Sequence, residues 1–165
     1  MKTVYLIRHA KSSWDDPRLQ DVARPLNERG LRDAPFMAKM LRAKGAQVDQ
    51  ILSSPANRAF ATAAFFAEAF GIAEKDIHVL HRIYEAFPET IVKLIQGLEP
   101  TQNTVFLFGH NPTLTAVANL FTHKHIDNIP TCGIVRIDAA IDDWGAFLYP
   151  AATMTEFHYP KQYFD

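Results

Sequence analysis

The chain has 165 residues, 17 lysines and arginines against 18 aspartates and glutamates, and a formal net charge of −1. That length suits one hydrophobic core rather than two, and the near-zero charge excludes a global pull toward nucleic acid or anionic membrane while leaving room for a local cationic pocket. A single cysteine, Cys132, excludes an internal disulfide and a cysteine-based zinc site, which is compatible with a reducing compartment.

The first apolar run, Thr3-Val4-Tyr5-Leu6-Ile7, is too short for a secretory signal, and no later segment approaches the length of a membrane span. No repeat, low-complexity tract or linker interrupts the chain. The expectation is one domain over residues 1–165, soluble and cytoplasmic.

Residues 2–7 read as a buried strand, because the run is continuous, β-branched and aromatic rather than alternating. It ends on Arg8-His9. After a polar loop with Pro17 and Pro25, Asn27 caps a helix predicted to run to about Lys44, with Leu31, Met37, Met40 and Leu41 on its apolar side and Gly45 as its stop. Pro35 inside it predicts a kink, since proline removes a donor and crowds the preceding turn.

Residues 49–52 form the next predicted strand, ending in Ser53-Ser54-Pro55. A helix over 57–70 follows, closed by Gly71, with Phe60, Phe65, Phe66 and Phe70 as a core stripe. Residues 78–80 predict a strand and 89–98 a helix. Residues 104–108 predict a strand ending at Gly109-His110, and 112–121 a helix with proline in its first turn. The tail reads as strands over 133–138, 146–149 and 153–159. Strands alternating with helices predict an α/β protein: a three-layer α/β/α sandwich on a mostly parallel sheet, with an antiparallel edge near the C-terminus.

Ligands of such sheets sit beyond the carboxyl ends of the strands. Those ends supply Arg8 and His9, Ser54 and Arg58, and His110 and Asn111. Two arginines and two histidines make a phosphate site, because guanidinium offers paired donors matched to phosphate oxygens at any physiological pH. Arg58, in the first turn of its helix, adds the attraction of free backbone donors. His123 and His125 suggest a solvated loop rather than a metal site, for no carboxylate or cysteine set accompanies them. His78, His81 and His158 lack a partner pattern and read as structural.

The blocks Leu6-Ile7-Arg8-His9-Ala10-Lys11-Ser12, Arg24-Pro25-Leu26-Asn27-Glu28-Arg29-Gly30, Ser53-Ser54-Pro55-Ala56-Asn57-Arg58-Ala59, Ile83-Tyr84-Glu85-Ala86 and Gly109-His110-Asn111-Pro112 resemble the histidine phosphatase superfamily, and its small SixA-like phosphohistidine phosphatase branch most closely. They occur in family order; the last third carries no usable motif. Ala10 stands where many members have glycine, a departure that resembles the SixA-like branch.

The resemblance implies a phosphoglycerate mutase-like fold and a phosphatase that needs no metal or cofactor. It makes His9 the nucleophile, with Arg8, Arg58 and His110 holding the nonbridging oxygens. Ser12 and Asn111 are candidates for the phosphate rim; ordinary loop polarity and a helix cap are their plainer readings. Glu85 is the candidate proton donor, with Asp15 or Asp16 as alternatives, and Arg58 could instead pair with a carboxylate such as Glu85. The implied substrate is phosphohistidine on a protein. The alternatives are a small phosphomonoester and a non-catalytic phosphate-binding adaptor, the latter disfavoured by the intact His9. A nucleic-acid or membrane partner is not expected, and the oligomeric state is left open.

Overall fold

The computed structural model describes residues 1–164. Its elements are β1 (Lys2–Arg8), α1 (Glu28–Ala43), β2 (Gln50–Ser53), α2 (Asn57–Ala69), β3 (His78–Val79), α3 (Pro88–Gln96), β4 (Thr104–Gly109), α4 (Thr113–Asn119), β5 (Ile134–Ala139) and β6 (Ala152–His158). The six strands form one sheet in the order β3-β2-β4-β1-β5-β6. The four strands from β3 to β1 run parallel, whereas β5 is antiparallel to both β1 and β6.

The apolar runs of β1 and β4 are continuous because both faces of the sheet are covered. Tyr5, Ile7, Phe106 and Phe108 point to the face where Met37, Leu41, Ala63 and Phe66 of α1 and α2 pack. Val4, Leu6, Val105 and Leu107 point to the other, against Ile91 and Leu94 of α3 and Leu114 and Val117 of α4. Phe66 meets Phe106 and Phe108 edge-on, with ring centroids 6.2 and 5.1 Å away. This is the three-layer sandwich expected from the sequence, with its antiparallel edge in place.

Local signals also acted as the sequence suggested. Asn27 caps α1 by accepting a 2.9 Å hydrogen bond from the Gly30 amide, and Gly45 and Gly71 take φ of +90° and +72° just past α1 and α2, a conformation glycine adopts without penalty. Helix α1 continues through Pro35 without interruption. The carbonyl deprived of its helical donor is that of Leu31, a residue 52% exposed. That exposure corrects the placement of Leu31 on the apolar side.

Residues 146–149 are not a strand. Trp144–Ala146 form a 3₁₀ turn, and the apolar signal arises because Trp144 and Phe147 are buried, Phe147 packing against both Trp144 and Phe121. Packing under a turn produced the hydrophobicity that pairing was expected to explain.

Candidate active site

Register alone brings the two histidines together. Arg8 lies opposite Gly109 in the parallel β1–β4 pair, so the next residues, His9 and His110, leave the sheet side by side with ring centroids 5.3 Å apart. The His9 amide donates to the Gly109 carbonyl at 3.2 Å, and the Ser54 amide, leaving β2, donates to the Phe108 carbonyl at 3.1 Å. Three strand ends are thereby fixed within one layer. Thr62 of α2 joins them, its hydroxyl accepting from the Ala10 amide at 2.9 Å and donating to the Arg58 carbonyl at 2.8 Å.

His9 is buried, and its Nδ1 lies 2.7 Å from the Ala10 carbonyl oxygen. A carbonyl only accepts, so Nδ1 carries the ring hydrogen and Nε2 keeps its lone pair. Burial first, and then the charges of His110, Arg58 and Arg8, push the His9 pKa down to about 3, against the opposing Ala10 bond. Burial and the two arginines push His110 down to about 4. Both rings are neutral at pH 7.

His110 Nε2 lies 2.8 Å from Ser54 Oγ, which already accepts from the Ala56 amide at 3.1 Å. The Ser54 hydroxyl hydrogen has no acceptor other than Nε2 among the hydrogen bonds of the described residues, and its donation to Nε2 places the His110 ring hydrogen on Nδ1. Among the described residues, three buried side-chain polar atoms have no hydrogen-bond partner, and two of them, His110 Nδ1 and Arg8 Nε, are here. Both are donors. Buried donors are ordinarily paired, so these two unpaired donors make the strand ends around His9 a candidate anion site.

The arginines are anchored at one edge each, which leaves further donors of each guanidinium uncommitted. Arg8 donates to the Ile129 carbonyl at 2.8 Å. Arg58, also buried, donates to the Asp21 carbonyl at 2.8 Å and to Asp21 Oδ2 at 3.0 Å. Asp21 is thus the carboxylate paired with Arg58, rather than Glu85. It also accepts from the Tyr84 hydroxyl at 2.6 Å and from Arg24 at 2.9 Å. The Tyr84 bond, followed by Arg58 and Arg24, holds its carboxyl down at about 2. Sequence reasoning missed Asp21, which precedes the Arg24 block by three residues and meets Arg58 only through folding.

A cleft of about 460 Å³ opens beside these groups, lined among others by Asp21, Arg58, Tyr84, Glu85, Phe87 and His110. Glu85 is exposed there at φ 55°. Asp15 and Asp16 are not among its lining residues, and Asp16 is committed to Arg18 at 3.0 Å. Ser12 is buried, with its hydroxyl accepting from Arg24. Asn111 lines the cleft, but its amide is engaged: Oδ1 caps α4 at the Thr115 amide, 3.1 Å away, and Nδ2 donates to Asn128 and to the Ile129 carbonyl, both at 2.9 Å. Ser12 and Asn111 therefore support the loops around the site. His123 and His125 are exposed, and among the described residues no cluster of histidine, cysteine, aspartate and glutamate could hold a metal ion. No described helix is long and apolar enough to cross a membrane.

Comparison with known proteins agrees with this geometry. The family model of the histidine phosphatase superfamily (branch 1) matches residues 4–90. An uncharacterized protein of Mycobacterium tuberculosis is 31% identical over 165 residues, covering 94% of this chain and all of the relative. A proposed phosphohistidine phosphatase SixA from Agrobacterium tumefaciens superposes with a TM-score of 0.81 at 30% identity, covering 96% of this chain and 99% of that one. The protein histidine phosphatase SixA complexed with tungstate shares the fold, with a TM-score of 0.83 at 20% identity over 97% of this chain and 98% of that one. The paired histidines at the ends of β1 and β4, the arginines beside them and these matches place the chain in the histidine phosphatase superfamily, branch 1, among its SixA-like members, as an enzyme of the phosphatase class.

Proposed function

We propose that the enzyme hydrolyses phosphohistidine on a protein through a phosphoryl intermediate on His9 Nε2. The observation that carries this reading is the 2.7 Å contact between His9 Nδ1 and the Ala10 carbonyl. It fixes one tautomer, leaves Nε2 nucleophilic, and holds the hydrogen that the ring keeps when it is phosphorylated. Arg8, Arg58 and the Nδ1–H of His110 supply donors for the equatorial oxygens, where charge accumulates in transfer. Splitting hydrolysis into transfer to His9 and attack of water on the intermediate replaces one difficult step with two easier ones.

Substrate choice follows from exposure and leaving group. The cleft is open, and Phe87 at its wall and Trp14, stacked on the Arg24 guanidinium, are 73% and 72% exposed, a rim suited to a protein surface. Glu85 is the cleft carboxyl available to protonate an alkoxide, which needs an acid; protonated imidazole leaves without one. Glu85→Gln is expected to slow phosphomonoester hydrolysis more than phosphohistidine hydrolysis. The size of the cleft favours a small phosphomonoester as the second reading.

Phosphate release from a phosphohistidine protein and from an aryl phosphomonoester, without added metal and with His9→Ala as the blank, tests the proposal. Faster phosphohistidine turnover, lost in the blank, supports it. Preference for the monoester moves the assignment to a small-molecule phosphatase, and no turnover of either leaves a binding module.

A further inference from the structure

A carboxylate bonded to a phosphate-binding arginine is, on its face, a poor arrangement. Asp21 removes one guanidinium edge of Arg58 from the anion site and sets a negative charge, with its side chain 47% exposed, on the cleft wall. A dianionic ester would be repelled, and an oxygen leaving group, gaining negative charge as its bond to phosphorus breaks, would be repelled further. The charge is nonetheless heavily secured, by Arg58, Arg24 and Tyr84 together. Arg24 is itself buried and tied to Ser12 and to the Ser13 carbonyl. The groups facing Asp21 are therefore Arg24, Arg58 and Tyr84, with His110 and Glu85 farther along the same cleft.

An anion in this position suits a leaving group that is a cation before transfer. We infer that Asp21 is the specificity residue for a nitrogen leaving group, its carboxylate accepting the far ring N–H of a phosphorylated imidazolium. The inference rests on the phosphohistidine reading above and deepens it. Arg58 and Tyr84 both donate to Oδ2, whereas Oδ1 carries a single protein bond, from Arg24, and a carboxylate oxygen accepts two. Tyr84 and Phe87 add aromatic surface beside it, which an imidazolium ring favours.

The step balances without a proton shuttle. His9 Nε2 donates its lone pair to phosphorus as the phosphorus–nitrogen bond to the substrate ring breaks. The bonding pair returns to the departing nitrogen, and the imidazolium leaves as neutral imidazole with its far N–H still on Asp21. His9 becomes the phosphorylated imidazolium in its place, its own far N–H held by the Ala10 carbonyl. The Ala10 carbonyl and the Asp21 carboxylate do the same work on the two exchanging rings.

The test compares N-phosphoimidazole with an aryl phosphomonoester on wild type and Asp21→Asn, free of any protein docking. Loss of a charge-assisted hydrogen bond lowers kcat/KM for N-phosphoimidazole about 10- to 100-fold relative to the aryl ester, and moves the alkaline limb of the kcat profile, which reports the bound complex, to lower pH, since Asp21 no longer retains the ring proton. Asp21→Glu is expected to restore part of the preference. Equal losses on both substrates overturn the inference and reduce Asp21 to a positioner of Arg58. Should Asp21→Asn fold poorly, an alkaline limb of the wild-type kcat profile that matches the free pKa of N-phosphoimidazole overturns it as well. A wild-type enzyme that hydrolyses the aryl ester but neither N-phosphoimidazole nor phosphohistidine defeats the phosphohistidine reading itself, and is recognised without any variant.

Discussion

Ser54 Oγ and His110 Nε2 stand 2.8 Å apart, a side-chain bond that ties the ends of β2 and β4 where the sheet ladder has run out. It governs which nitrogen of His110 faces the anion site. Ser54→Ala frees the ring to take the other tautomer and to rotate, and is expected to lower kcat about 100-fold, the size of one lost anion donor, and to lower the melting temperature as well, because the buried Ala56 amide loses its acceptor. Steady-state kinetics on any turned-over substrate checks this; an unchanged kcat would mean that packing alone orients the ring.

Acid should destabilise the protein earlier than its carboxylates require. His9 and His110 titrate near 3 and 4 when folded and near 6.5 when unfolded. Between those values the unfolded chain binds more protons, so stability rises with pH through the window and is lost as pH falls below about 6.5. At pH 5 the loss is about 2 kcal/mol for His9, and somewhat less for the half-buried His110, at 1.4 kcal/mol per unit. Asp21 adds its own loss only below about pH 4, as its carboxyl is held down. Melting temperature measured from pH 7.5 to 4.5 should fall, and the slope should flatten in His9→Ala; parallel slopes would contradict the assignment of neutral rings.

Thr62→Val keeps the shape of the side chain but removes the hydroxyl that accepts from Ala10 and donates to Arg58. It leaves a buried amide unpaired, at a cost of about 1–3 kcal/mol. Because the same hydroxyl couples the His9 loop to the helix bearing Arg58, activity should fall along with the denaturation midpoint. A stability loss with full activity would show the two segments to be held independently.

Gly30→Ala should be worse than its position in a helix suggests. A Cβ there would run into the Lys11 carbonyl and crowd the Leu26 side chain at 3.2 Å. Overpacking of this kind costs about 1–3 kcal/mol, and the displaced segment begins two residues after His9. Chemical denaturation together with kcat tests both consequences.

The strand-end cluster was legible in the sequence because strand termini are local features. Arg8-His9 and Gly109-His110 each follow an uninterrupted apolar run, and a parallel pairing of those runs suffices to bring the histidines together. Asp21 was not legible for the opposite reason. It lies in a short 3₁₀ turn of a polar loop, without periodicity or cap, and its partners Arg58 and Tyr84 are 37 and 63 residues away. Ser12 and Asn111 show a third case: polar residues in the right blocks, whose hydrogen bonds are taken by Arg24, Thr115 and Asn128. In the tail, Phe147 advertised a strand yet was buried by Phe121 and Trp144, since hydrophobicity reports burial and not the partner that provides it.

The strand order has a consequence for how the protein is made. β1 sits in the middle of the sheet between β4 and β5, so the segment carrying His9 must wait for about a hundred further residues before either neighbour exists. A ribosome-bound chain shorter than that carries His9 without His110, on a strand with two open edges and apolar on both faces. Such a segment is prone to pair with other chains. Docking of β4 brings His110 beside His9 and closes one edge, and β5 closes the other, so a stalled or truncated nascent chain has neither the paired histidines nor a protected strand.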